Sequence, residues 1–162
     1  MSGALRVTCS GGGETGKDGS YHTDYRRGRQ SGGMSQLLPD EAADRLVSTC
    51  RTTVGDNARS VTFFSRTDHE QLYLRDDLEQ DADLMAFIGT ERQDFAMASD
   101  GYSGTELGGY RYTLRVFENG YAVRIDGRDK GVLVTSDGME LRDFNHLANA
   151  VSSTLEEWEG ED

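Results

Sequence analysis

Apolar residues along this chain recur first at helical spacing, then in alternation, and the two periods exchange several times. Ala43, Leu46, Val47, Cys50 and Val54 fall on one helical stripe. Pro39 suits the first turn of that helix, Asp40 and Glu41 complement the positive end of its dipole, and Gly55 closes it. Two short strands follow. Val61-Thr62-Phe63-Phe64 is rich in β-branched and aromatic residues, and Gln71-Leu72-Tyr73-Leu74-Arg75 alternates. The intervening Arg66-Thr67-Asp68-His69 fits a hairpin connection. Beyond Asp76-Asp77, Leu78, Ala82, Met85, Ile88 and Phe95 lie near one face of a second helical region. Gly89 weakens its middle, so one broken helix or two short ones are expected.

The strand signal is strongest after residue 109. Tyr110, Tyr112, Leu114 and Val116 alternate with Arg111, Thr113, Arg115 and Phe117, and Asn119-Gly120 is the strongest short-range hairpin signal in the chain. Tyr121, Val123 and Ile125 continue the alternation, Asp126-Gly127 turns again, and Val132-Leu133-Val134-Thr135 makes a fifth strand. Ser136-Asp137-Gly138 ends the sheet. Asp143 is placed to cap a last helix, with Phe144, Leu147, Ala148, Val151, Leu155 and Trp158 on one stripe.

The order α-β-β-α-β-β-β-α predicts an α+β domain, a five-stranded antiparallel sheet with helices packed on it. The second and third strands are expected at the edges, and Tyr110–Phe117 is long and aromatic enough to invite pairing with another chain. The order is similar to that of roadblock-type GTPase regulators and other profilin-like domains, and close to that of PAS and GAF sensors. The resemblance is one of topology, so a function taken from it is an analogy.

Residues 1–33 break the pattern. Nine of them are Gly, apolar residues are sparse, and five Lys plus Arg face three Asp plus Glu. Such a segment buries too little surface to offset its ordering entropy and is expected to be disordered. Its composition suggests a stretch upstream of a true start at Met34, or a tail without a role. The alternative, an RNA-binding or membrane-touching tail, rests on Tyr21, Tyr25, Arg26, Arg27 and Arg29. A single domain is expected over residues 34–162.

Charge fixes the environment of that domain. From Met34 onward 26 Asp plus Glu face 11 Arg and one lysine, Lys130. Dense carboxylates and scarce Lys on a sequence with clear periodicity point to a folded protein of a salt-accumulating halophile. The acidic balance argues against binding along a phosphate backbone, although molar salt shortens the Debye length to about 3 Å and weakens that inference. No apolar run is long enough to span a bilayer, and no segment reads as a signal peptide, so a cytoplasmic location is expected. Of two cysteines, Cys9 lies in the Gly-rich segment and Cys50 on an apolar stripe, which argues against a disulfide.

Few residues carry candidate chemistry. His22, His69 and His146 have no second His or Cys at ligand spacing, and no nucleophile-elbow, Walker or dinucleotide motif occurs. No cofactor, metal or catalytic residue is therefore assigned. The Gly-rich stretch 99–109 could cradle an anion through its backbone N–H groups, but no Lys follows it and it leads into a strand. A plain connecting loop is the preferred reading. A two-residue Asn119-Gly120 loop would set Arg115 directly opposite Arg124, with Arg111 further along the strand. Like charges facing each other destabilise a sheet. Either Asp126 and carboxylates of a covering helix neutralise the pair, or Arg111, Arg115 and Arg124 form a site for an anion or an acidic partner.

The stretch Thr105–Tyr121 and the opening Leu37-Leu38-Pro39-Asp40 resemble a family of small haloarchaeal proteins defined only as a domain of unknown function. The resemblance covers about residues 36–158 and implies no activity. Together these features predict a non-catalytic regulatory or protein-interaction module, expected to pair as a homodimer. The rival reading is a PAS- or GAF-like sensor binding a small anion between the sheet and the 78–109 segment.

Overall fold

The computed structural model describes residues 30–31, 36–79 and 84–160. Most of the 1–33 segment expected to be disordered, the proposed start at Met34, and Ala82 of the second helix lie outside those residues.

The elements run β1 (Gln30–Ser31), α1 (Asp40–Val54), a 3₁₀ turn (Gly55–Asn57), β2 (Ala58–Ser65), β3 (His69–Leu74), α2 (Leu84–Gly101), β4 (Tyr112–Phe117), β5 (Gly120–Asp126), β6 (Lys130–Ser136) and α3 (Leu141–Glu159). From α1 onward this is the α-β-β-α-β-β-β-α order that the periodicity predicts. The five strands β2–β6 form an antiparallel sheet, and the two-residue β1 adds to the β3 side, giving the order β1-β3-β2-β6-β5-β4.

The sheet has helices on both faces. On one, the stripes of α1 (Ala43, Leu46, Val47, Cys50) and α3 (Phe144, Leu147, Ala148, Val151, Leu155) close over Val61, Phe63, Val123, Ile125, Val132 and Val134. This is the main core. Cys50 belongs to it, and burial pushes its thiol up to about 12, which makes it inert at ordinary pH. Glu70 is buried at the rim of the same face, where its Oε2 accepts the backbone N–H groups of Leu37 (2.9 Å) and Leu38 (3.3 Å) and fixes the chain as it enters α1. Among the described residues the opposite face is covered by α2, through a smaller cluster of Phe64, Ile88, Phe95, Ala122 and Leu133.

Three local expectations are corrected. The second helix is one unbroken element from Leu84, not two. Gly89 points into open space on its exposed side, and Ile88 and Phe95 anchor the helix on either side of it. Asp143 is not the cap of the last helix. That helix starts at Leu141 after Glu140, leaving Asp143 within the first turn, where its charge still complements the dipole.

The third correction moves the hairpin. Phe117 pairs with Gly120, so the turn is Glu118-Asn119 and every partner shifts by two residues: Leu114 faces Val123, Arg115 faces Ala122, and Thr113 faces Arg124. Gly120 is not among the positive-φ glycines of the described residues, which are Gly55, Gly104 and Gly108. A Cβ at Gly120 would lie 2.5 Å from the Ser136 carbonyl oxygen. The glycine is needed for close approach of β5 to β6, not for a turn of positive φ.

Candidate functional site

The corrected register leaves Arg115 and Arg124 diagonal to each other on the face covered by α2, with Ala122 and Thr113 as their direct partners. The small side chain at Ala122 leaves room above the sheet, and α2 fills it with carboxylates. Glu91, only 2% exposed, sits between the two guanidinium groups. Arg115 donates from Nε to Glu91 and from Nη2 to Asp94. Arg124, 1% exposed, donates from Nη1 to the Glu91 backbone carbonyl at 3.1 Å and to Glu91 Oε2 at 3.2 Å. Its Nε reaches Asp126 Oδ1 at 2.9 Å. Its Nη2 reaches Asp126 Oδ2, the Tyr110 hydroxyl and Thr113 Oγ1, each at 3.3 Å.

Every nitrogen of Arg124 is thereby occupied, and two guanidinium groups face three carboxylates. An anion arriving at Arg124 meets no free donor. Glu91 and Asp94 stand one helical turn apart on α2 and reach the same arginine, as residues at that spacing do. They carried no signal of their own in a chain crowded with Asp and Glu. Only their place on the inner side of α2 separates them from the solvated carboxylates.

Arg111 goes elsewhere. It precedes β4, and its guanidinium donates to Asn149 Oδ1 on α3, beside the Tyr112 hydroxyl, which donates to Asn145 at 2.9 Å. The structure brings Arg115 and Arg124 together in one ion cluster and leaves Arg111 outside it, although Arg111 and Arg124 line the same cleft.

The electrostatics of the cluster follow from its burial. Arg115 is held more firmly charged, first by its hydrogen bond to Glu91. Asp126 is pushed up to about 6, because burial outweighs the attraction of Arg124. The folded state therefore takes up this proton at a higher pH than the unfolded chain. The stability linked to Asp126 is full below about 4 and is lost as pH rises through about 6. Lowering the pH from 7 to 5 is expected to raise the unfolding free energy measured in urea by about 1 kcal/mol, since most of a shift of this size is felt only as pH falls through about 6. Asp126→Asn should flatten that rise. Asp77 and Asp137, held below the usual range first by hydrogen bonds from Arg75, act only at lower pH and with the opposite sign. An unchanged slope in Asp126→Asn would place the titration elsewhere.

Among the described residues, no group of three His, Cys, Asp or Glu side chains is arranged to hold a metal ion, and no helix is long and apolar enough to cross a membrane.

This architecture is that of a known α+β class. A solved structure of MglB with a tetrameric arrangement matches at a TM-score of 0.53, with 16% identity, over 76% of this chain and 96% of that one. The gliding protein MglB from Thermus thermophilus aligns at 18% identity over 76% and 97% of the two chains, with a TM-score of 0.48. At such identities the likeness is one of fold. The chain belongs to the DUF7522 family, a domain of unknown function, whose model matches residues 44–156. Comparison with curated proteins returns no match.

Proposed function

We propose that the domain is a non-catalytic regulatory or interaction module of a salt-rich archaeal cytoplasm, and that it pairs with a second copy of itself along β4. The observation that carries this reading is the open edge of the sheet. Among the described residues no strand pairs with the outer side of β4. In an antiparallel ladder, directly opposed residues alternate between bonded and non-bonded pairs. With Phe117 facing Gly120 across a two-residue turn, and the Asp126 N–H directed at the Arg111 carbonyl, the odd-numbered residues of β4 bond to β5. The backbone groups of Tyr112, Leu114 and Val116 therefore point outward.

Apolar side chains flank that edge. Val116 is 69% exposed on one face, and Phe117, 45% exposed, leans on Phe87 of α2 on the other, with ring centroids 5.3 Å apart. Native edges of this length are normally blunted by charge, proline or a covering element. Here the sole charge within β4 is Arg115, and α2 already neutralises it. The MglB structure with a tetrameric arrangement gives the fold a precedent for assembly.

Val116→Lys places a charge on the edge without touching the core. The wild type is expected to sediment as a dimer in molar KCl, and the variant as a folded monomer with at least tenfold weaker association. A variant that associates like the wild type would move the interface away from β4. A ligand-sensing role is a separate reading, favoured by a cleft beside α2.

A further inference from the structure

We propose that the cleft between the C-terminal half of α2, the loop after it and the start of β4 binds a small aromatic carboxylate. This goes beyond assembly at the β4 edge and does not depend on it.

The cleft has a volume of 780 Å³, within the range of small-molecule sites. A neighbouring recess of 530 Å³ shares the wall formed by Tyr102, Thr105, Gly108, Gly109 and Tyr110. The loop reverses through Gly104 and Gly108, both at positive φ, and Gly108 N–H bonds back to the Thr105 carbonyl at 3.1 Å. That reversal leaves Leu107 98% exposed on the cleft wall, near Met97 at 73% and Tyr102 at 56%. Six large apolar side chains are exposed among the described residues, and three of them line this one cleft. Concentrated bare apolar surface of this kind marks a binding surface more often than scattered single residues do. The ring of Tyr102 stacks on Tyr110 at 5.6 Å with an interplanar angle of 23°, offering a flat apolar platform.

The charge of the lining sets the other half of the ligand. The chain carries 29 Asp plus Glu against 17 Lys plus Arg, yet the cleft and its recess are lined by Arg111, Arg124 and Arg128 against only Asp94 and Asp126. Both carboxylates already face guanidinium groups, Asp94 that of Arg115 and Asp126 that of Arg124. Arg111 has a neutral partner, the Asn149 amide, and makes no ion pair among the described residues. It is the cation of the larger cleft left without a carboxylate. A planar guanidinium fork suits a carboxylate, and the tyrosine platform suits the ring that carries it.

Calorimetric titration of the full chain with 1-naphthoate tests this assignment, with 1-naphthalenemethanol as the uncharged counterpart and acetate as the anion without a ring. Naphthoate is expected to bind saturably at one site per chain, at least tenfold more tightly than either control. Arg111→Gln should weaken naphthoate at least tenfold and leave naphthalenemethanol unchanged, whereas Tyr102→Ala should weaken both. Both substitutions are at exposed or loop positions, and circular dichroism verifies the fold. Absence of saturable naphthoate binding, equal binding of naphthalenemethanol, or unchanged naphthoate affinity in Arg111→Gln would overturn the proposal. Sedimentation of Arg111→Gln as the wild-type species separates this outcome from any failure of the β4 interface.

Discussion

Replacing Arg124 with alanine is expected to cost about 3–5 kcal/mol, because it removes one partner of a buried ion cluster and leaves the others behind. The Glu91 and Asp126 side chains are 2% and 6% exposed, and they would face each other across the vacated space with only Arg115 to compensate. The Glu91 carbonyl, Tyr110 hydroxyl and Thr113 hydroxyl would also lose a donor. Urea unfolding followed by circular dichroism measures the loss. The double variant Arg124→Ala with Asp126→Asn should recover part of it, since one stranded charge is then gone. A single variant within about 1 kcal/mol of wild type would show that the cluster is hydrated and not buried as described.

Phe95→Ala is expected to cost about as much, roughly 3–5 kcal/mol for truncation of a buried phenylalanine. The ring is fully buried and meets Phe64 edge-on at 5.3 Å and 86°. The main core spreads its packing over two helices and most of the sheet. By contrast α2 rests on a cluster of five buried residues, in which Phe95 is the one aromatic that the helix itself supplies. The loss should therefore be local as well as global. Amides of α2 are expected to exchange faster than those of α1 and α3 in the variant. Uniform acceleration across all three helices would mean that α2 does not open separately.

Much of this fold is legible in the residue pattern, for a physical reason. The stripes of α1 and α3 coincide with buried positions because each helix packs one face on one sheet, so local period and tertiary burial agree. The hairpins that join β2 to β3, β4 to β5 and β5 to β6 are readable from turns and alternation in the same way. The pairing of β2 with β6, by contrast, joins distant parts of the chain and leaves no local signal. Failures arise where a distant contact decides. Gly120 looks like half of a turn, yet its lack of a side chain serves the approach to Ser136 on another strand. Gly89 looks like a helix breaker, yet packing on both sides holds the helix through it. Glu91 is the most buried carboxylate of the ion cluster and was hidden among the chain's 29 acidic residues, which share one composition signature. The arginines were visible because they are scarce in this chain; the carboxylates that neutralise them were not.

Amide hydrogen exchange along β4, compared in dilute and concentrated protein in molar KCl, tests assembly at this edge most directly. The amides of Thr113, Arg115 and Phe117 face β5 and should be protected at both concentrations. Those of Leu114 and Val116 point outward and should gain protection only in the concentrated sample, where a second copy accepts them. Equal exchange of Leu114 and Val116 at both concentrations would contradict pairing through β4.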